Sequence, residues 1–304
     1  MIVRKFKNIF VLLITLYSCI SVSQPYFRTN DISYMPGSYD GMQMLDVYIP
    51  KDAKGALPCV VWIHGGAWKY GSKGRLPEVI DTMLYHGYVV ADINYRLSGD
   101  TLFPGQIIDC MNAIRYLKYN CSKYSIDSSR IGVAGESAGG HLVALLGTSA
   151  GNKFSEMETV NYPGVSSSVK AVVDFYGPTD FLLMDRYVPK LPPDSCGATD
   201  PHDAPDSPES LLIGCPVTEC TEKVNRANPI AYITPDDPPF LIFQGTFDCV
   251  VAPHSSIMLD RALRKAGVES ELVLVPHASH GLRDFTNVEV KSKILEFYDR
   301  HLKN

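Results

Sequence analysis

Six short, almost uninterrupted apolar runs, alternating with stretches of helical periodicity, do most to limit what this chain can fold into. The runs are Cys59–Ile63, Tyr88–Ile93, Ile131–Ala134, Val169–Val173, Phe240–Phe243 and Leu272–Val275. A strand that is apolar at successive residues suits a sheet buried on both faces, as in a parallel sheet covered by helices. Helical spacing appears between them, at residues 104–120 (Ile107, Ile108, Met111, Ile114, Leu117), 138–148, 254–266 and 284–302. Strand and helix alternating from residue 58 onward imply βαβ units and one wound, mostly parallel sheet with helices on both faces. Residues 43–49 differ, with Leu45, Val47 and Ile49 alternating against Met44, Asp46 and Tyr48. That pattern predicts a half-exposed antiparallel strand. Residues 181–229, rich in Pro, Asp and Ser, interrupt the rhythm and read as a long loop inserted over one edge of the sheet.

Gly135-Glu136-Ser137-Ala138-Gly139 falls between the run ending at Ala134 and a helix. A serine on so tight a strand-to-helix turn needs glycine two residues before and after it, because side chains there would collide. Its hydroxyl is then lifted clear of the sheet, with helix N–H groups pointing toward it. This marks Ser137 as a candidate nucleophile.

A serine hydroxyl needs a base to take its proton. Of the eight histidines, His277 and His280 follow the last apolar run, where a wound sheet would present the base, and His280, next to Gly281 and the final helix, is favoured. His141 reads as a packing or hydrogen-bonding residue, His64 as a brace for its loop, and His86 and His301 as surface residues. The base in turn needs a carboxylate to fix its tautomer. Asp248 lies on the loop after Phe240–Phe243, and Asp174, at the end of an earlier strand, is the rival; Asp109 and Asp180 read as structural hydrogen-bonding groups. Acyl transfer also requires donors for an oxyanion. His64-Gly65-Gly66-Ala67-Trp68 follows the run ending at Ile63, and its backbone N–H groups with that of Ala138 could supply them. Trp68 could line a pocket or pack the loop.

The net charge of −5 lacks the basic footprint of a nucleic-acid binder. Arg4, Lys5 and Lys7, an apolar stretch from Ile9 to Ile20, and Ser21-Val22-Ser23 before Gln24 read as a signal peptide over 1–23. The apolar stretch falls short of the ~20 residues a membrane span requires. Secretion or periplasmic residence of a single domain over 24–304 is the expectation, with a membrane anchor or lipidation at Cys19 ranked below it. Seven cysteines would then remain, so at least one is free or pairs between molecules. Cys59 reads as a buried apolar residue, and one local disulfide is expected among Cys196, Cys215 and Cys220. The cysteine spacing does not resemble a zinc site.

The two glycine-bearing motifs, with Gly140-His141-Leu142 after the elbow, resemble the hormone-sensitive-lipase-like branch of the α/β-hydrolases. The order Ser137, Asp248, His280 is also that of the α/β-hydrolases. Tyr95-Arg96-Leu97, Phe103-Pro104, residues 174–180 and Ala227-Asn228-Pro229-Ile230 add a closer resemblance to bacterial bifunctional acetylxylan and feruloyl esterases. The similarity runs from about residue 40 to the C-terminus; Ala67 replaces the third glycine often found after His-Gly-Gly, and still offers an N–H. The resemblance implies an α/β-hydrolase fold, a triad of Ser137, Asp248 and His280, and oxyanion donors at Gly66, Ala67 and Ala138. It implies no cofactor and no metal. It implies ester substrates on acylated plant polysaccharide; the charge and the signal pattern add the expectation of no nucleic-acid partner and no stable membrane span after signal cleavage.

Overall fold

The computed structural model describes residues 25–38, 40–149, 161–189 and 201–304. The signal-peptide residues, Cys19 and Cys196 lie outside these. In chain order the elements are β1 (Tyr26–Ser33), β2 (Met44–Pro50), β3 (Leu57–Ile63), α1 (Glu78–Tyr85), β4 (Val89–Ile93), α2 (Gly105–Tyr119), β5 (Ile126–Glu136) and α3 (Ala138–Ser149). There follow β6 (Val172–Phe175), α4 (Pro208–Ile213), α5 (Thr221–Ala227), β7 (Phe240–Gly245), α6 (His254–Ala266), β8 (Ser270–Val275) and α7 (Val288–Leu302). One eight-stranded sheet runs β1-β2-β4-β3-β5-β6-β7-β8. The β1–β2 and β2–β4 pairs are antiparallel and all others parallel. This is the α/β-hydrolase fold.

Five of the six apolar runs are explained by two cores, one on each face; the sixth lies on β8, an edge strand on which Leu274 is exposed rather than buried. Along β3, Val61 and Ile63 pack with Ile107 of α2, Leu142 of α3 and Leu259 of α6. Val60 and Trp62 point the other way, toward Val79 and Ile80 of α1 and Ile294 and Phe297 of α7. Successive strand residues alternate faces, so a strand with both faces covered needs apolar residues at every position.

Four expectations need correction. β2 is antiparallel as expected but not half-exposed: Asp46 and Tyr48 are buried. Edge strand β1, whose mixed sequence carries no alternation, supplies Arg28 to Asp46 at 2.8 Å, and Lys73 reaches the same carboxylate at 2.7 Å. A buried charge is tolerated when paired in this way. The strand expected at 169–173 begins at Val172 and continues to Phe175. The last helix is preceded by a separate 3-10 turn at Leu282–Phe285 and starts at Val288, capped by Asn287 Oδ1 accepting from Val290 N. Finally, the described part of 181–229 is not loop alone. α4 has Ser207 as N-cap, Pro208 in its first turn and left-handed Gly214 at its end, three local signals that specify a short helix. A Cys215–Cys220 disulfide ties the end of α4 to the start of α5. Cys249 is also disulfide-bonded, while Cys59, Cys110 and Cys121 are free and the first two buried.

The parallel strands β3, β5, β6, β7 and β8 all end at the same edge of the sheet. The loops that follow them therefore meet there, which is where open α/β sheets take their ligands.

Candidate active site

The turn between β5 and α3 puts Ser137 at φ 51°, in the left-handed region that non-glycine residues rarely occupy. Its flanking glycines are required by contact. A Cβ on Gly135 would sit 2.5 Å from the carbonyl oxygen of Gly139, and one on Gly139 would sit 2.1 Å from that of Ile63. Ser137 N donates to Phe175 O at 2.9 Å and its own carbonyl accepts from His141 N at 2.9 Å, so both ends of the turn are held.

The β8–α7 loop brings His280 to the serine. Its Nε2 lies 2.9 Å from Ser137 Oγ, and its Nδ1 2.8 Å from Asp248 Oδ2 on the loop after β7. Asp248 is 0% exposed and accepts from four donors. Val250 N and Val251 N reach Oδ1 at 2.9 and 2.8 Å, and Gln244 Nε2 joins His280 at Oδ2 at 3.2 Å. Gln244 is held in turn by Ser256 Oγ, which donates to its Oε1 at 2.8 Å. An acceptor-only carboxylate opposite Nδ1 keeps the proton on that nitrogen, leaving Nε2 free to accept from the serine hydroxyl.

His277, the alternative base, has its N–H on Thr246 Oγ1 and its ring against Phe247. Asp174, the alternative acid, is fully buried and accepts from Gly177 N at 2.9 Å; burial pushes its carboxyl up to about 7. His141 Nε2 donates to Ala227 O at 2.7 Å, and burial pushes its ring down to about 4. His64 stacks on Tyr95, whose hydroxyl donates to His64 O at 3.0 Å, so it braces the loop after β3. Asp109 accepts from Arg96 and Gln43, and Asp180 from Leu182 N, both structural contacts. His86 is exposed, but His301 is partly covered and pairs with Glu269 at 3.3 Å.

Three successive positive φ values shape that loop: Gly66 110°, Ala67 53° and Trp68 53°. Gly66 O accepts from Lys69 N and Tyr70 N, closing a tight turn. Ala138 N begins α3 and so has no acceptor within the helix. Among the described residues, none of the loop hydrogen bonds uses the N–H of Gly66, Ala67 or Ala138 as donor. Ala67 and Ala138 line a cavity with Ser137, of about 230 Å³. Trp68 lines it too and also packs edge-on against His141, which answers both alternatives for it.

Two residues beside His280 carried no assignment from sequence. Tyr176, at φ 45°, turns its ring edge-on to His280 with centroids 4.7 Å apart. Its hydroxyl donates to Glu136 Oε2 at 2.7 Å. Burial raises the Glu136 carboxyl above its ordinary value, while the Tyr176 hydrogen bond, the charge of His280 and the Gly65 N–H pull it back down. The signal was present only as the variable residue of the elbow motif.

The model of the BD-FAE family matches residues 45–263, a span that contains Ser137 and Asp248. The chain belongs to the BD-FAE family. Among curated proteins, this BD-FAE chain is similar to esterase LipC of Mycobacterium tuberculosis, 32% identical over 245 residues, covering 80% of the chain and 57% of LipC. The chain thus spans little more than half of that relative. Among solved structures it resembles a truncated carbohydrate esterase from gut microbiota, at 30% identity and TM-score 0.81, covering 93% of this chain and 99% of that one. It also resembles a bifunctional GH43-CE of Bacteroides eggerthii, at 34% identity and TM-score 0.79, covering 90% of this BD-FAE chain and 35% of the other. Among its described residues no group of His, Cys, Asp or Glu could hold a metal ion, and no helix is long and apolar enough to cross a membrane.

Proposed function

We propose that this protein is a serine carboxylic-ester hydrolase that removes acetyl or feruloyl groups from plant polysaccharide such as xylan, outside the cytoplasm. The observation that carries the reading is the continuous hydrogen-bonded chain from Ser137 Oγ through both nitrogens of His280 to a fully paired Asp248. His280 Nε2 takes the hydroxyl proton as Ser137 Oγ attacks the ester carbonyl, and Asp248 stabilises the resulting imidazolium. The oxyanion of the tetrahedral intermediate accepts from the N–H groups of Gly66, Ala67 and Ala138, none of which donates to a loop acceptor among the described residues. His280 then returns its proton to the departing alcohol, and water repeats the sequence on the acyl-serine. One lost oxyanion donor costs about 3–4 kcal/mol in such reactions.

The carbohydrate-esterase likenesses and the amino-terminal signal pattern support a polysaccharide substrate. The likeness to LipC favours one alternative, a broad carboxylesterase acting on small lipids. Hydrolysis of p-nitrophenyl acetate tests the chemistry, and Ser137→Ala should abolish it; full activity in that variant ends the proposal. Acetylated xylan, feruloylated arabinoxylan and tributyrin, offered side by side, test the substrate. Preference for tributyrin refutes the polysaccharide reading.

A further inference from the structure

The cavity before Ser137 is walled mainly by apolar groups, Met184, Pro178, Pro208, Val250 and Val251 among them. Two of its lining residues are ionisable, and both come from the segment inserted between β6 and β7: His202 and Glu209. Glu209 is 4% exposed. Ser207 and the backbone hydrogen-bond to its carboxyl, yet among the described residues its Oε2 has no partner. Buried glutamates are rarely left unpaired, and each such oxygen needs an explanation. The fold does not require one here, since glutamine would fill the same space.

His202 is held rather than merely present. Its Nδ1 lies 2.8 Å from Asp185 Oδ1, and the same carboxylate accepts from the backbone N–H of His202 and Asp203 at 3.0 Å. That pairing keeps the Nδ1 proton toward Asp185. Burial raises the Glu209 carboxyl above its ordinary value, while the nearby His202 ring, the backbone and Ser207 pull it back down. A fixed acceptor and an oriented imidazole thus share a small cavity that also contains the serine hydroxyl.

We propose that Glu209 and His202 form a hydroxyl-recognition subsite for the sugar that carries the ester, an inference that rests on the carbohydrate-ester reading of the same site. A sugar presents neighbouring hydroxyls that can donate to Glu209 Oε2 and bridge to His202. An alkyl alcohol or a fatty chain offers that oxygen no donor, so it forgoes the hydrogen bond that a sugar gains. The cavity, about 230 Å³, is also below the roughly 300–1,000 Å³ of sites that enclose drug-sized ligands. It suits one acylated sugar ring rather than a long chain.

The test compares Glu209→Gln with the parent on two acetates, methyl acetylxyloside and ethyl acetate, which share the acyl group and differ in alcohol. The ratio of their kcat/KM values should fall about tenfold or more in the variant, as a hydrogen bond to a charged group implies, with the loss mainly in the KM of the xyloside. An unchanged ratio, including an equal loss on both esters, overturns the subsite. So does a loss confined to methyl ferulate, which would assign Glu209 to the acyl group. Unacetylated methyl xyloside supplies a readout independent of sugar-ester turnover. It should compete with p-nitrophenyl acetate in the parent, and its inhibition constant should rise about tenfold in Glu209→Gln; no competition in the parent also overturns the proposal. Absence of Ser137-dependent hydrolysis would instead remove the esterase reading, and calorimetric titration with the xyloside would still decide the subsite. A thermal melt of the variant checks that it is folded.

Discussion

Gly139→Ala should cost far more activity than stability, and the numbers come from one contact. A Cβ at residue 139 would lie 2.1 Å from Ile63 O and 2.6 Å from His64 O. Both are backbone atoms at the end of β3, where the loop with Ala67 begins, so no side chain can rotate away. Bringing the nearer contact out to 3.0 Å requires α3 and that loop to part by about 0.9 Å. Overpacking of this kind costs about 1–3 kcal/mol. Replacing glycine by alanine in a helix returns about 1 kcal/mol. The net loss of up to about 2 kcal/mol corresponds to a Tm lower by at most about 8 °C. Against a typical reserve of about 5–15 kcal/mol the chain stays folded. The same parting moves Ser137 away from the N–H of Ala67, and a misplacement of about 1 Å costs roughly a hundredfold in rate. Thermal melts and p-nitrophenyl acetate kinetics on the same sample separate the two effects. Gly41→Ala is the control, because nothing lies within 4 Å of its added Cβ and its backbone is ordinary. A folded Gly139→Ala enzyme with kcat/KM within about threefold of the parent would refute the steric reasoning.

Asp248→Asn puts an amide where His280 Nδ1 and Gln244 Nε2 both expect an acceptor, so kcat should drop about 10³–10⁴-fold; steady-state kinetics showing less than a tenfold loss would demote Asp248. Tyr176→Phe removes the donor to Glu136 Oε2 but keeps the ring against His280. A fall in stability of about 1.5–3 kcal/mol is expected by urea titration, and a change within 0.5 kcal/mol would mean the pair is solvated. Burial raises the Asp174 carboxyl from 3.8 to about 7, so the folded chain holds this proton more tightly than the unfolded one. Stability from this group is complete below about pH 3.8 and is lost as pH rises through about 7. The decline in Tm between pH 5 and pH 8 should therefore be shallower in Asp174→Asn, and parallel melting curves would contradict that.

How much of the fold could be read from the sequence depended on where each strand lay. Central β3, β4 and β7, and β5 along its apolar run, are covered on both faces, and burial leaves a plain record as consecutive apolar residues, whereas β8 carries the same record at an edge where Leu274 is exposed. β1 left none. Its sequence, YFRTNDIS, is that of an edge strand, and its role is to bring Arg28 to a carboxylate whose burial no local pattern announces. Asp46 looked like an outward residue for the same reason. A charge on a strand reads as solvent-facing unless the partners that cover it, here Arg28 and Lys73, can be foreseen from 18 and 27 residues away. The helices of 181–229 were legible in principle, since Ser207-Pro208 and Gly214 are start and stop signals. The surrounding prolines outweighed them.

The site divides along similar lines. Ser137, Asp248 and His280 were legible because topology, not local chemistry, picks them out: each follows a parallel strand, and all such ends share one edge. Choosing His280 over His277, or Asp248 over Asp174, needed only the knowledge of which loop passes in front of which. The geometry that brings the three together is backbone geometry, recorded in the glycines. Glu209 and His202 were illegible because no strand ends at them. Their position depends on how α4 folds back over the sheet edge, and only the finished tertiary structure carries that information. The same distinction separates two kinds of function in this molecule. The groups proposed to break the bond follow strand ends of the sheet, which the sequence describes well, whereas those proposed to recognise the sugar hang on the insertion, which it describes poorly. Variation among relatives in what they cleave is therefore expected to concentrate in 181–229 rather than at the strand ends. Exchanging that segment between a sugar-ester and a lipid-ester relative should move the preference while keeping hydrolysis of p-nitrophenyl acetate within about tenfold, as uniform loss of ground-state contacts would dictate. Chimeras that retain the preference of the sheet donor would show instead that the strand-end loops select the substrate.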